Sequence, residues 1–253
     1  MSDEENYAYI ASTNKGVYIV DLSNFQSPQV ISFAYLMYAY GCQIANNYLF
    51  IADLLQGLVT YDVKDKFNPQ MISVTAFAYN DLKPSYQFIL LYPDFNYVFC
   101  ASYGFILTYQ ITNIKKPQLL PLLQDFVQAP RSNTLRYDSS KRFIALANHI
   151  QGVSILDISN VEGQFIRFVS NPKLSVCDVA FAQNSKALFV LDSYNGVYYA
   201  DTSILFDDLQ PVKLDLVYEQ IIPFTNYQFT SMKISFDRMF LYIRFRSLGI
   251  KIY

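Results

Sequence analysis

One short pattern returns six times along this chain and leaves it few folds to choose from. Gly16, Gly57, Gly104, Gly152, Gly196 and Gly249 each end a short polar link between two apolar runs, and successive copies stand 41 to 53 residues apart. Before the glycines come Tyr7 to Ala11 (YAYIA), Tyr48 to Ala52 (YLFIA), Tyr97 to Ala101 (YVFCA), Phe143 to Ala147 (FIALA), Ala187 to Leu191 (ALFVL) and Met239 to Ile243 (MFLYI). After them come GVYIVD, GLVTYD, GFILTYQ, GVSILD, GVYYAD and GIKIY. Two strand-like runs joined through a glycine predict a β-hairpin.

The pattern continues beyond each hairpin. Asp21, Asp62, Asp157 and Asp201 end the second strand, five residues after their glycines, and Gln110 takes that slot in the third copy. Pro28-Gln29, Pro69-Gln70 and Pro117-Gln118 follow seven residues after the slot, while Gly163-Gln164 and Pro211 mark looser versions. A third apolar run comes next: Val30 to Leu36, Met71 to Phe77, Leu119 to Leu123, Phe165 to Val169 and Val212 to Val217. A fourth precedes the next hairpin: Cys42 to Ala45, Tyr86 to Tyr92, Thr134 to Tyr137, Cys177 to Phe181 and Thr230 to Phe236. Four short strands per period predict an all-β fold, a β-propeller of about six four-stranded antiparallel blades. Helical solenoids need 3.6-spaced stripes, and these runs are short and rich in Tyr, Val, Ile and Phe.

The hairpins Gly16 to Asp21, Gly57 to Asp62 and Gly152 to Asp157, each with its strand-loop-proline continuation and a strand such as Tyr48 to Asp53 (YLFIAD), resemble the LVIVD-repeat family of β-propeller repeats. The resemblance covers nearly the whole chain. It implies the fold and carries no shared catalytic site. Kelch and WD-type repeats match less well, because the chain has no Trp, one His and no double glycine.

The ends are incomplete. The first hairpin starts six residues in, with no room for an innermost strand, and the last copy stops one residue short of the Asp slot. Three strands are expected in the first blade, four in each of the next four, and three in the last. We expect residues 1–253 to form a single propeller domain that is a segment of a longer protein; the alternative is an open or irregular six-bladed ring.

Composition narrows function mostly by exclusion. The net charge is −2, and no Lys/Arg field dense enough for nucleic acid occurs. The densest basic stretch, Lys233 to Lys251, alternates with Phe, Tyr and Ile as a solvated strand face would. Cys42, Cys100 and Cys177 lie in apolar runs with no C-x-x-C pair, so free buried thiols are expected. An acidic start at Ser2-Asp3-Glu4-Glu5, no apolar run of membrane-spanning length, and no N-x-S/T sequon together lean intracellular, with a surface-protein segment as the alternative. No cofactor is indicated.

The strand-end aspartates are expected to accept backbone N–H bonds in the following turn; one per blade stands too far from its copies to share a metal ion. Asp53 and Asp192, at hairpin turns, carry the same expectation. His149 has no second His or Cys near it in sequence with which to hold zinc, and no catalytic or metal residue is assigned. Asp207-Asp208 is expected to be a solvated loop. Slots on the innermost strands, which line a propeller's channel mouth, hold Gln43, Phe88, Arg136, Asp178 and Lys233. Gln43, Arg136, Asp178 and Lys233 are the channel-mouth candidates, and Asp178 is placed to pair with Arg136 or Lys233 across neighbouring blades. Loop aromatics Tyr79, Tyr103, Tyr194 and Phe206 are the partner-binding candidates, since Tyr and Phe anchor interfaces. The leading expectation is a non-catalytic scaffold presenting a propeller face to a protein partner, with no nucleic acid and no membrane insertion by this segment. The alternatives are a small-ligand-binding or enzymatic propeller using the channel mouth, and a structural module of a large surface protein.

Overall fold

The computed structural model describes residues 6–76, 88–92, 94, 96–102, 105–120, 134–138, 140–148, 152–159, 161, 165–169, 174–182, 186–206, 218–223, 229–234, 241–245 and 249–252. The chain divides into two compact units, Met1–Leu122 and Leu123–Tyr253.

The first unit holds three antiparallel sheets. Blade 1 consists of β1 (Tyr7–Ser12), β2 (Gly16–Asp21) and β3 (Gln29–Ala34). Blade 2 is β4 (Ala39–Ala45), β5 (Tyr48–Asp53), β6 (Gly57–Asp62) and β7 (Gln70–Thr75). Blade 3 is β8 (Phe88–Leu91), β9 (Tyr97–Ser102), β10 (Phe105–Gln110) and the short β11 (Gln118–Leu119). The second unit repeats the plan. Blade 4 is β12 (Thr134–Tyr137), β13 (Phe143–Ala147), β14 (Val153–Asp157) and β15 (Phe165–Val169). Blade 5 is β16 (Val176–Phe181), β17 (Ala187–Asp192), β18 (Gly196–Asp201) and β19 (Tyr218–Pro223). Blade 6 is β20 (Phe229–Ile234), β21 (Leu241–Phe245) and β22 (Gly249–Ile252). Among the described residues the strand counts are three, four, four, four, four and three, as expected.

Local chemistry explains why the hairpins form. Gly16 has φ +93°, and a Cβ there would stand 1.9 Å from the Ala34 carbonyl oxygen, so both the backbone angle and the close approach demand glycine. Between β4 and β5, Asn46 and Asn47 take φ of 51° and 62°, the paired left-handed residues of a tight hairpin turn. The strand-end aspartates behave as expected: Asp21, Asp62, Asp157 and Asp201 accept the N–H groups of Ser23, Lys64, Ser159 and Ser203. A second turn three residues on repeats the device, with Asn24, Asp65 and Asn113 accepting from Gln26, Phe67 and Lys115. Asp53 and Asp192 do more than cap their own turns. Asp53 accepts from Leu55 and Gln56 and, with its other oxygen, from Tyr38; Asp192 accepts from Tyr194 and Asn195 and from Ser175. Each therefore ties its hairpin turn to the connection entering the blade.

Blades pack face to face through alternate residues of the two central strands. Val17 and Ile19 of blade 1 meet Leu49, Ile51 and Val59 of blade 2, and Phe50, Ala52 and Leu58 on the other face of blade 2 meet Val98, Cys100 and Leu107 of blade 3. In the second unit, Ala145, Val153 and Ile155 meet Val179, Leu188 and Val190, and Leu191 and Val197 meet Met232 and Ile243. Central strands covered on both sides become nearly continuous apolar runs, which is why β6, β13 and β14 are buried along almost their whole length.

One expectation is corrected and another falls outside the described residues. The outer strand described for blade 5 is Tyr218–Pro223, pairing from Ala200↔Tyr218 to Gly196↔Pro223, and the Val212 to Val217 run lies outside the described residues. After Asp201 the chain enters a 3-10 turn, Ser203–Phe206, held by Asp201 on the Ser203 N–H and hydroxyl, which lengthens the connection. The third strand of blade 1 ends at Ala34 instead of Leu36.

Candidate functional site

The innermost strands β4, β8, β12, β16 and β20 carry the channel-mouth candidates, and their register sorts these residues onto two rungs. Gln43 stands opposite Phe50, Arg136 opposite Ala145 and Lys233 opposite Tyr242. The matching positions in the other blades are Leu90, opposite Phe99, and Ala180, opposite Phe189. Asp178 and Phe88 sit two residues away, opposite Leu191 and Ala101. Register shifts just before Asp178, between Val176 and Asp178, and at the equivalent place in two other inner strands, between Ala39 and Gly41 and between Phe229 and Ser231. A bulge inserts an extra residue and re-aims its neighbours.

That re-aiming brings Asp178 toward both adjacent blades. Its carboxylate is fully buried and accepts the Val179 N–H at 2.8 Å and, across the blade junction, the Met232 N–H of β20 at 2.8 Å. Arg136 of blade 4 donates to it through Nη2 at 3.5 Å and to its own strand's Leu135 carbonyl at 3.0 Å. Of the two possible pairings, Arg136 is the one made; Lys233 is exposed, and the backbone N–H beside it is what reaches Asp178. Gln43 plays the same part in the first unit, its Oε1 accepting the Leu91 N–H of blade 3 at 2.8 Å. Gln43, Arg136 and Asp178 are thus braces between successive blades, and Lys233 is not.

A further brace carried no mark in the sequence. Lys66, in the turn after β6, is buried; its Nζ donates to the Val63 carbonyl at 2.8 Å and Asn47 Oδ1 at 3.1 Å and lies 5.8 Å from the centre of the Tyr7 ring in blade 1. The Ser32 hydroxyl of blade 1 donates to the Lys66 carbonyl. In blade 4, Arg142 chelates Asp157 at 3.0 and 3.2 Å. Burial raises the Asp157 pKa, but the Arg142 and Ser159 hydrogen bonds outweigh it and hold the carboxyl below its ordinary value.

The three cysteines are free. Burial pushes the Cys42 thiol up to about 11, the Cys177 thiol up to about 12 and that of Cys100 higher still; such thiols are poor nucleophiles. His149 and Asp207-Asp208 lie outside the described residues. An open groove of about 360 Å³ is lined by Tyr48, Asp62 and Ile72 of blade 2 and Thr112 to Lys115 after β10, away from the innermost-strand braces. No helix among the described residues is long and apolar enough to cross a membrane.

Of the aromatic candidates, Tyr79 and Tyr103 lie outside the described residues. Tyr194 is exposed in the β17–β18 turn, and the backbone of Phe206 belongs to the turn after β18. The two backbone positions stand at opposite ends of a six-residue strand, ~20 Å apart at ~3.3 Å per residue. An apolar cluster forms elsewhere. Tyr35 and Met37 in the connection between blades 1 and 2, Tyr40 at the start of β4, and Leu55 in the β5–β6 turn are all exposed. The Leu54 N–H to Tyr38 carbonyl bond and the Asp53 bond to Tyr38 hold these segments against one another. The run AYLMYAY (34–40), apolar without interruption in a connection, was the signal for it.

Comparison with known proteins agrees with this architecture. The family model described as LVIVD repeat matches residues 4–35 and 38–75, the first and second blades. No curated protein matches the chain. Among solved structures, a periplasmic gluconolactonase of Pseudomonas aeruginosa is similar with TM-score 0.72 and 11% identity, over 100% of this chain and 79% of that one. The β-propeller domain of Swd1 from Myceliophteria thermophila gives TM-score 0.73 and 13% identity, over 98% and 80%. A protein of unknown function from Desulfotomaculum acetoxidans gives 0.70 and 14%, over 100% and 80%.

Proposed function

We propose that residues 1–253, a β-propeller whose first two blades match the LVIVD-repeat model, act as one non-catalytic scaffold, and that the exposed residues Tyr35, Met37, Tyr40 and Leu55 are where a protein partner docks through an apolar, aromatic-rich segment. The observation that carries this reading is the use already made of the polar innermost-strand residues. Gln43 and Asp178 are engaged by backbone N–H groups of the next blade, and Arg136 by Asp178, while Tyr35, Met37, Tyr40 and Leu55 stay exposed on segments that the Tyr38 hydrogen bonds hold together. Exposed patches of this kind mark interaction sites more often than chance surface does.

The similarity to a gluconolactonase extends to the fold at 11% identity, and function is carried by sites and not by folds. Two measurements test the proposal together. Wild-type protein and a Tyr35→Ser/Met37→Ser variant serve as baits in quantitative affinity capture, and both are assayed for hydrolysis of sugar lactones. A partner enriched by the wild type and lost with the variant supports the scaffold reading. Lactone turnover above background, removed by Arg136→Ala, refutes it in favour of a small-ligand or enzymatic propeller.

A further inference from the structure

The turn after the central hairpin meets the preceding blade at two junctions of the first unit, and the two contacts differ. Lys66 stands four residues after Asp62, and Ile114 four after Gln110, which holds the Asp slot of the next copy. Tyr7 and Tyr48 open the first hairpin strands of blades 1 and 2, and Ser32 and Ser73 each stand three residues after the glutamine of a Pro-Gln pair. At the blade 1–blade 2 junction these places are closed. Lys66 is buried, its ammonium lies 5.8 Å from the centre of the Tyr7 ring, and its carbonyl accepts the Ser32 hydroxyl.

At the blade 2–blade 3 junction the same places stay open. Ile114 is shorter than lysine and carries no charge, and the groove of about 360 Å³ runs between Tyr48, Asp62 and Ile72 of blade 2 and the turn that holds Ile114. The Ser73 hydroxyl, counterpart of the one that holds the Lys66 carbonyl, is buried with no hydrogen-bond partner among the described residues. The same is true of Thr60, its cross-strand neighbour, which shares a face of β6 with Asp62. Buried hydroxyls are nearly always hydrogen-bonded, so this pair marks a junction that the chain does not complete. Tyr48 and Asp62 are themselves a cross-strand pair, which sets a ring beside a carboxylate, the two groups that hold an ammonium. Lys115 at the rim is exposed, as Phe67 is in the corresponding place, and solvent screens its charge.

We propose that this groove binds a primary alkylammonium group, the chemistry of a lysine side chain, with the ammonium over the Tyr48 ring and beside the Asp62 carboxylate. The bound group takes the place that Lys66 fills from within the chain one junction earlier. A volume of about 360 Å³ is at the small end of ligand sites, room for one such group. The site is separate from the exposed cluster at Tyr35 and does not depend on a partner docking there.

Titration of the whole chain with n-butylammonium chloride, followed by its amide signals in proton–nitrogen NMR spectra, tests this. Potassium chloride and n-butanol control for ionic strength and for apolar contact. Saturable shifts at Ile72 and at Thr112 to Lys115 are expected with the amine alone. Tyr48→Leu should weaken binding about two- to fivefold, the effect of an ammonium–ring contact at an exposed site. Asp62→Asn, which keeps an acceptor for the Lys64 N–H, should weaken it as well. Ile114→Lys should abolish it by supplying the ammonium from within the chain. The blocked amino acid Nα-acetyl-lysine methylamide, run in parallel, separates the sources. If it binds, the occupant is a lysine side chain of a partner; if only butylammonium binds, the occupant is a small free amine. No saturable shift with either amine overturns the proposal, as do equal shifts with n-butanol, or binding that Tyr48→Leu and Asp62→Asn leave unchanged. Those two variants decide the matter if Ile114→Lys fails to fold.

Discussion

Replacing Asp178 should harm this protein far more than replacing its cationic partner, although the two form one ion pair. The carboxylate is fully buried and holds two backbone N–H groups at 2.8 Å, those of Val179 and Met232. Asp178→Ala removes both acceptors and leaves buried donors, each costing ~1–3 kcal/mol when stranded. The Arg136 contact adds little, because at 3.5 Å and with 43% of its side chain exposed the guanidinium is screened by water; such pairs contribute ~0–1 kcal/mol. The sum predicts a loss of about 2–7 kcal/mol for Asp178→Ala and no more than about 1 kcal/mol for Arg136→Ala. Asp178→Asn, which keeps one acceptor oxygen, should fall between them. Urea unfolding followed by tyrosine fluorescence and circular dichroism gives all three values, with unchanged m-values showing that the unfolded state is comparable. If Arg136→Ala costs as much as Asp178→Ala, the aspartate acts through charge pairing and the account of it as a backbone acceptor between blades is wrong.

Three further outcomes follow from other sites. Gly16→Ala should destabilise by more than ~1 kcal/mol, the least expected of a Cβ at positive φ, because it also meets the Ala34 carbonyl; a neutral effect in thermal melts would contradict the close approach. Asp157 is held below its ordinary pKa by Arg142, against the opposing effect of burial, so its contribution is present above the unfolded value near ~3.9 and disappears as pH falls through the lower folded value. Arg142→Gln should therefore cost stability at neutral pH and progressively less below about pH 4, which a series of urea titrations against pH would show; a cost independent of pH refutes it. Finally, Cys42 and Cys177, raised to about 11 and about 12, and the more deeply buried Cys100 should resist a thiol-specific chromogenic reagent at pH 8 in the native protein and react fully in denaturant. Fast native labelling would show that these strands open.

The sequence made the central hairpins of each blade plain because glycine, aspartate and proline recur at set distances, and each recurrence marks a backbone event: a left-handed turn, an N–H accepted by a carboxylate, a strand end. The innermost strands were harder to align. The residues at which register shifts, Tyr40, Cys177 and Thr230, have nothing chemically in common, so no pattern reveals the extra residue. The links from inner strand to hairpin also differ in length, with two residues between Ala45 and Tyr48 and five between Phe181 and Ala187, and Asp178 was aligned with Gln43 when it stands two residues away. The Arg136–Asp178 pair was legible all the same, since opposite charges on neighbouring inner strands tend to meet. Lys66 was not, because a lysine in a polar turn reads as solvated until the fold lays it over Tyr7. The docking cluster was mistaken in part for strand: Tyr35 and Leu36 extend an apolar run, and only the Gly16 contact with Ala34 and Leu36 shows where the chain leaves the sheet.

The braces have a direction, and that direction governs how the molecule comes apart. Gln43 reaches forward to Leu91, Arg136 forward to Asp178, and Asp178 forward to Met232, so these three inner-strand ties each run to the next blade. Free energy in such an array is close to a sum of intrinsic blade terms and nearest-neighbour couplings. Amide exchange should then fall into steps and not one cooperative event. Opening of blade 6 should expose the Met232 amide while β16 and β17 stay protected, leaving Asp178 the last polar group to let go of it.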